Sequence, residues 1–275
     1  MRLAELKVPL FLSVFLLTSF FAAPRLSAAS DFSQTIDPVD VIVIDPGHGG
    51  MDTGAVSKRG VREKDLTLAV AKRLVRVLKK RLGCTILLTR SDDTFVPLEE
   101  RTAIANRNSA DVFISIHVNS APNRRARGLE TFFLNYEPSD EESRRTAAIE
   151  NGFDPREAGI DGTFSGDLKA TILDLVETAA HHESSTLAES VHTSLVRSTG
   201  RGDRGVKQAP FSVLSGAVMP AVLVELGFIS NGRDRVWLAS SKGKDEIARS
   251  IALGILDFKV KLEEGLKTVG FRRIE

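Results

Sequence analysis

Apolar residues along this chain fall into two rhythms. Short runs at Val41 to Ile44, Thr85 to Thr89, Asp111 to Ile116, Leu129 to Leu134, Phe211 to Leu214 and Ala221 to Glu225 read as strands. Between them, apolar positions recur at spacings of three and four. Leu66, Val70, Leu74 and Val77 predict a helix from about Lys64 that Gly83 ends, and a shorter helix is predicted around Leu98 to Arg107. Leu168, Ile172, Leu175 and Val176 begin a further helical stretch that Leu187, Val191 and Leu195 continue, and Ile247, Ile251, Ile255 and Phe258 mark a closing amphipathic helix. Strands and helices at these intervals predict a single α/β domain, a mostly parallel twisted sheet with helices on both faces. From Glu137 to Asp167 the rhythm fails. That stretch is acidic, holds Pro138, Pro155 and several glycines, and is too long for a simple connection, so it predicts a functional or loosely ordered insertion.

The first residues change the picture of where the protein works. Arg2 and Lys7 precede an apolar run from Val8 to Ala23, and Ser27 and Ala29 supply small residues before Ser30. This order predicts an export signal over residues 1–29, cleaved after Ala29, because the apolar run is shorter than the ~20 residues of a spanning helix. An uncleaved anchor is the alternative. The expected organisation is then a polar lead over 30–39, a catalytic domain over 40–262 that includes the insertion at 137–167, and a tail over 263–275. Cleavage removes three cations and one anion, taking the formal charge from +1 to −1. A near-neutral chain gives no electrostatic case for nucleic acid. Nor is stable membrane insertion expected once the signal is gone, and the predicted location is the periplasm or another part of the cell envelope. Cys84 is the only cysteine, so no internal disulfide is possible, and its apolar run predicts a core role.

Candidate chemistry lies at the ends of the predicted strands. His48 stands in Asp45-Pro-Gly-His-Gly-Gly50, His117 follows Asp111-Val-Phe-Ile-Ser-Ile116, and Glu225 closes Ala-Val-Leu-Val. Such residues point to the carboxyl edge of a sheet, where α/β proteins place their sites. Glu63 begins the first predicted helix. Two imidazoles and a carboxylate suit a zinc ion with an open coordination position, and a second carboxylate can deprotonate water there. Each residue also has a plainer reading. The Gly-rich turn could cradle phosphate, although neither a Walker lysine nor a Gly-x-Gly-x-x-Gly run follows. Glu63 could be a solvated helix cap, and His117 a satisfied core residue. Glu225 is harder to dismiss, because a carboxylate at a buried strand end needs a metal, a proton or a donor. Arg124-Arg-Ala-Arg127 is a solvated loop or a contact for anionic wall polymer or peptide carboxylates.

Taken together, Val43-Ile-Asp-Pro-Gly-His-Gly-Gly, the Glu63 helix start, Ser115-Ile-His-Val-Asn, Asp203-Arg-Gly-Val-Lys207 and Pro220-Ala-Val-Leu-Val-Glu-Leu-Gly-Phe-Ile-Ser-Asn231 resemble the motifs of zinc-dependent N-acetylmuramoyl-L-alanine amidases of the amidase type 3 family, over about residues 40–260. The resemblance implies one zinc ion per chain bound by His48, Glu63 and His117, Glu225 as the catalytic carboxylate, and peptidoglycan as substrate, cut between the lactyl group of N-acetylmuramic acid and L-alanine. Arg101 and Asn119 look like residues that orient the site through hydrogen bonds. The insertion is similar to that of the Gram-negative cell-separation amidases, in which a helix covers the groove and a glutamate occupies the zinc until a protein activator displaces it. Arg145-Thr-Ala-Ala-Ile-Glu-Asn151, with Asp154 after it, resembles that element and makes Glu150 the candidate inhibitory ligand; a solvated acidic loop is the alternative. Two rival functions remain at this point: a zinc carboxypeptidase or endopeptidase of wall peptides, and a non-catalytic wall-binding protein of the same fold.

Overall fold

A computed structural model describes residues 39–152 and 170–271. The expected export signal, most of the polar lead, Leu168, and Asp154, Pro155 and Gly159 of the insertion lie outside the described residues. The elements run in the order β1 (Val41–Pro46), α1 (Glu63–Arg81), β2 (Thr85–Leu88), α2 (Leu98–Arg107), β3 (Val112–Asn119), β4 (Leu129–Leu134), α3 (Glu141–Glu150), α4 (Ala170–Thr199), β5 (Asp203–Ala209), β6 (Ala221–Phe228), α5 (Gly232–Ala239) and α6 (Ser241–Phe271).

The six strands form one sheet in the order β2-β1-β3-β6-β4-β5. β2, β1, β3 and β6 are mutually parallel, β4 runs antiparallel to β6, and β5 is parallel to β4. Because β1 leads to β2 on one side and β3 lies on the other, the strand order reverses between β1 and β3. A crevice opens at the carboxyl ends of such strands, and ligands of open α/β sheets bind there.

Burial follows the two-residue period of the strands. Ile42, Ile44, Val112, Ile114, Ile116, Val222 and Val224 face a large core closed by Leu66, Val70 and Leu74 of α1, Leu187 and Val191 of α4, and Ile247, Ile251 and Ile255 of α6. Val43, Phe113, Leu223 and Phe132 face a smaller core with Ala105 of α2 and Ala147 of α3. Both faces are therefore covered, as the apolar pattern predicts. Alternation then puts Asp45, Ser115, His117, Glu225 and Glu130 on the smaller-core face, beneath α2 and α3. Cys84 is partly buried against the large core.

Three differences from the sequence reading have physical causes. Phe211 to Leu214 is a turn of 3-10 helix over Ser212–Leu214, between Pro210 and Gly216, that buries Phe211, Val213 and Leu214 in the smaller core. Burial of a run this short does not distinguish a strand from a turn. The actual strand, β5, is Asp-Arg-Gly-Val-Lys-Gln-Ala, a half-exposed edge with almost no apolar signal. Within the insertion a ten-residue helix, α3, forms without an apolar stripe, capped by Asp140, whose side chain accepts from Ser143 N–H at 2.7 Å.

Candidate metal centre

The turn after β1 brings His48 to β3. Pro46 pairs with Ile116, so the chain leaving β1 bends directly beside His117. A side chain on Gly47 would place its Cβ 2.4 Å from His117 Cε1, so only glycine admits the imidazole. His48 itself has φ +61°, a left-handed conformation costly for a non-glycine residue and concentrated at functional sites. Two buried arginines hold this turn by its carbonyls. Arg90 donates to Pro46 O at 2.9 Å and to Gly47 O at 2.8 Å, and Arg101 donates to Pro46 O at 3.0 Å and His48 O at 3.1 Å. The turn is packed by its own chain, with the place of a Gly49 side chain 2.2 Å from Thr94 O.

Glu63 is fixed by backbone donors. The register between β3 and β6 shifts between His117 and Asn119, and a bulge of this kind takes an N–H out of the ladder. Val118 N–H donates instead to Glu63 Oε1 at 2.8 Å, and Ala55 N–H donates to Oε2 at 2.9 Å. Asp52 Oδ2 lies 2.8 Å from His48 Nδ1, which leaves Nε2 to face the centre. A carboxylate on the outer nitrogen is the common support of a metal-binding imidazole.

Four donor atoms, one each from His48, Glu63, His117 and Glu150, lie within 4.8 Å of one another. His48 Nε2 is 3.1 Å from Glu63 Oε1 and 3.2 Å from Glu150 Oε2; His117 Nδ1 is 3.2 Å and 2.6 Å from the same two oxygens. Yet His48 Nε2, His117 Nδ1 and Glu150 Oε2 are buried without a hydrogen-bond partner. Tetrahedral ligands about 2.0–2.1 Å from zinc stand about 3.3 Å apart, so these spacings are those of a coordination shell. The donor set of nitrogens and carboxylate oxygens also fits zinc.

The electrostatics fit the same reading. Burial alone lowers His48, but Glu63, Asp52 and Glu150 outweigh it and carry the imidazole far above its usual range. His117 is likewise depressed by burial and pushed up, to about 9, chiefly by Glu150. Both rings therefore attract a positive charge, which a metal supplies in place of protons. Glu225 behaves oppositely: burial first, then Glu150, Glu63 and Glu130, push its carboxyl well above the usual range. It is fully buried, sits beside His117 across the β3–β6 pair, and neither oxygen has a hydrogen-bond partner among the described residues.

The structure thus brings His48, Glu63 and His117 together with Glu150 from the insertion, and sets Glu225 next to them. Arg101 supports the His48 turn and forms a buried ion pair with Asp45 at 2.8 Å. Asn119 does not reach the cluster; its amide donates to Glu130 at 3.0 Å and lies 3.5 Å from Thr146 of α3. Sequence reasoning missed Asp52, Arg90 and Glu130. Asp52 carried a usable signal, a carboxylate four residues after a glycine-flanked histidine. The other two had none, since only strand pairing brings them in.

A covered, mostly parallel sheet with histidines and carboxylates converging at its carboxyl edge defines a metal-hydrolase type of domain. Residues 42–257 match the family described as N-acetylmuramoyl-L-alanine amidase, and the chain belongs to that family of peptidoglycan hydrolases. It is 37% identical over 220 residues to the amidase AmiA of Escherichia coli K12, covering 79% of this chain and 75% of that one. Similarity to AmiC of Escherichia coli O6:H1 is 33% over 215 residues, 78% of this chain and 52% of the relative, so the chain spans about half of that longer protein. Among solved structures, an N-acetylmuramoyl-L-alanine amidase from Clostridium difficile 630 superimposes with a TM-score of 0.61 at 31% identity, over 80% of this chain and 97% of the other.

Proposed function

We propose that this amidase uses one zinc ion held by His48, Glu63 and His117, that Glu225 carries the proton in hydrolysis of the muramoyl-L-alanine amide, and that Glu150 keeps the enzyme closed. The observation that carries this reading is the set of four donor atoms within 4.8 Å of one another, three of which, His48 Nε2, His117 Nδ1 and Glu150 Oε2, are buried without a hydrogen-bond partner among the described residues. A zinc ion held there would supply a Lewis acid and would lower the pKa of a water it binds toward ~7.

The chain's own residues do the rest. Glu225, raised by burial and by neighbouring carboxylates, is a base strong enough to take a proton from the attacking water and an acid strong enough to return it to the alanine nitrogen, so the amine can leave. Val118 N–H and Ala55 N–H hold Glu63, Asp52 fixes the His48 ring, and Gly47 leaves space for His117. Asp45, bound by Arg101, anchors the strand end from which the turn departs.

Glu150 completes a fourth position. Catalytic zinc sites keep one position open, whereas closed sites are structural, so a carboxylate in that place excludes water and substrate. α3 must withdraw for turnover, and a protein activator that binds the helix would provide the force. We further propose that residues 1–29 export the enzyme to the cell envelope, where peptidoglycan lies. Among the described residues no helix is long and apolar enough to cross a membrane.

Digestion of purified peptidoglycan with and without a chelator, read by mass spectrometry, tests the reading. The expected products are intact stem peptides beginning with L-alanine and peptide-free glycan, lost with chelator and restored by zinc. Fragments cut within the peptide would reject the assigned bond.

A further inference from the structure

Two loops and one helix that follow the carboxyl ends of parallel strands each bring to one pocket a cation with no ion-pair partner among the described residues. Lys58 follows β1, Arg124 follows β3 and Arg235 lies on α5, after β6. Together with Arg145, Ile149 and Ser120 they line a pocket of about 430 Å³. No carboxylate is among its lining residues, and none of the four cations has an ion-pair partner among the described residues, unlike Arg62, which is paired with Asp65, and Arg101, which is paired with Asp45. The pocket lies next to the metal centre through the chain: Ile149 directly precedes Glu150 on α3, and Val56 and Ser120 lie one and two residues beyond Ala55 and Val118, whose N–H groups hold Glu63.

Unpaired cations in a concave site are complementary to an anion, and a guanidinium fork fits a carboxylate with two parallel hydrogen bonds. The substrate supplies such a group on the correct side of the scissile bond. Beyond L-alanine the stem peptide continues with a glutamate linked through its γ-carboxyl, whose α-carboxyl is left free or amidated.

We propose that Lys58, Arg124 and Arg235 form a subsite for this free α-carboxylate and make the enzyme prefer the acid over the amidated stem. The inference rests on the amidase reading. Arg145 and Ile149 belong to α3 and leave with it, whereas the other three cations stay on the body of the domain. Arg124, the first residue of the basic run at 124–127, then has a defined task.

The test compares two synthetic substrates, muramyl-L-alanyl-γ-D-glutamate and its α-carboxamide, with the full zinc-loaded chain and with its Glu150→Ala variant. The expected result is a kcat/KM about tenfold or more higher for the acid, carried by KM, as charge-assisted hydrogen bonds of about 1.5–3 kcal/mol allow. In Arg124→Gln/Arg235→Gln the preference should shrink below about threefold, through a larger loss on the acid than on the carboxamide, with the thermal midpoint kept. Equal kcat/KM for both substrates in the unsubstituted protein overturns the subsite. An equal loss on both substrates in the double variant also overturns it, and indicates diffuse attraction to anions. A second measurement, calorimetric binding of L-alanyl-γ-D-glutamate against L-alanyl-D-isoglutamine, separates the two readings. Preferential binding of the acid without cleavage of either muramyl peptide would fault the catalytic assignment and uphold the subsite.

Discussion

Glu130 and Glu225 sit directly opposite each other across the antiparallel β4–β6 pair, both fully buried, and only Glu130 is neutralised. Its carboxylate accepts from Arg204 at 3.1 Å, Lys207 at 3.0 Å and Asn119 at 3.0 Å. Glu225 has no donor among the described residues. Two carboxylates with opposed environments suit opposed roles: one is a structural hub bound by two cations and an amide, and the other is pushed up by burial and left without a donor among the described residues.

Replacing Glu225 by Gln should therefore lower kcat by about 10²–10⁴-fold while zinc stoichiometry stays at one. His48→Ala and His117→Ala should lose metal and turnover together. Metal analysis beside stem-peptide release checks this, and near-normal release by the Glu225 variant rejects its role.

Glu150→Ala should raise basal hydrolysis, by about tenfold or more if its release opens the fourth position at a cost above ~1.4 kcal/mol. A weaker rise is expected from Asp140→Ala, which removes the cap of α3 at a cost of ~1 kcal/mol and its ion pair with Lys207 at 3.2 Å. Dye release from labelled sacculi gives the ranking. Unchanged or reduced rates in folded variants would argue against autoinhibition.

Asp52→Ala frees the outer nitrogen of His48 and should weaken zinc affinity by about 10–100-fold with little change in fold stability. Competition with a graded chelator series measures it. Affinity equal to the unsubstituted protein would show that the turn alone orients the ring.

Arg101→Met leaves Asp45 buried without its cation and should cost about 3–5 kcal/mol, read from the urea midpoint. Burial raises the Asp45 carboxyl, but Arg101, Thr89 and Ser115 outweigh it and hold it below its ordinary value. Stability from this group is thus complete above the unfolded carboxylate pKa of ~3.9 and is lost as pH falls through the lower folded value. The variant should show a smaller acid-side loss than the unsubstituted protein.

Much of the sheet was legible because parallel strands buried on both faces are written as continuous apolar runs, as in Val41 to Ile44 and Ala221 to Glu225. The edge strand β5 was not, since Asp203 to Ala209 has one solvated side and draws its order from pairing with β4. α3 escaped a periodic reading for a similar reason. Only Ser143, Thr146 and Ala147 are buried on it, too little for an apolar stripe, and the helix is positioned by its cap, by Arg204 bound to Glu142 and by Lys207 bound to Asp140.

By itself the sequence determined the alternation of strands and helices, the glycine turn that only a tightly packed imidazole requires, and the identities of His48, Glu63, His117 and Glu225, because these are local: periodicity and residue type act within a few positions. Tertiary structure decided how closely the donors approach one another, that Glu150, a candidate from the resemblance, reaches them, that Glu130 rather than Glu225 receives the cations, and that Lys58, Arg124 and Arg235 meet at one pocket. Those outcomes depend on strand register and on the reversal of strand order between β1 and β3, and both are fixed by packing between segments far apart in the chain.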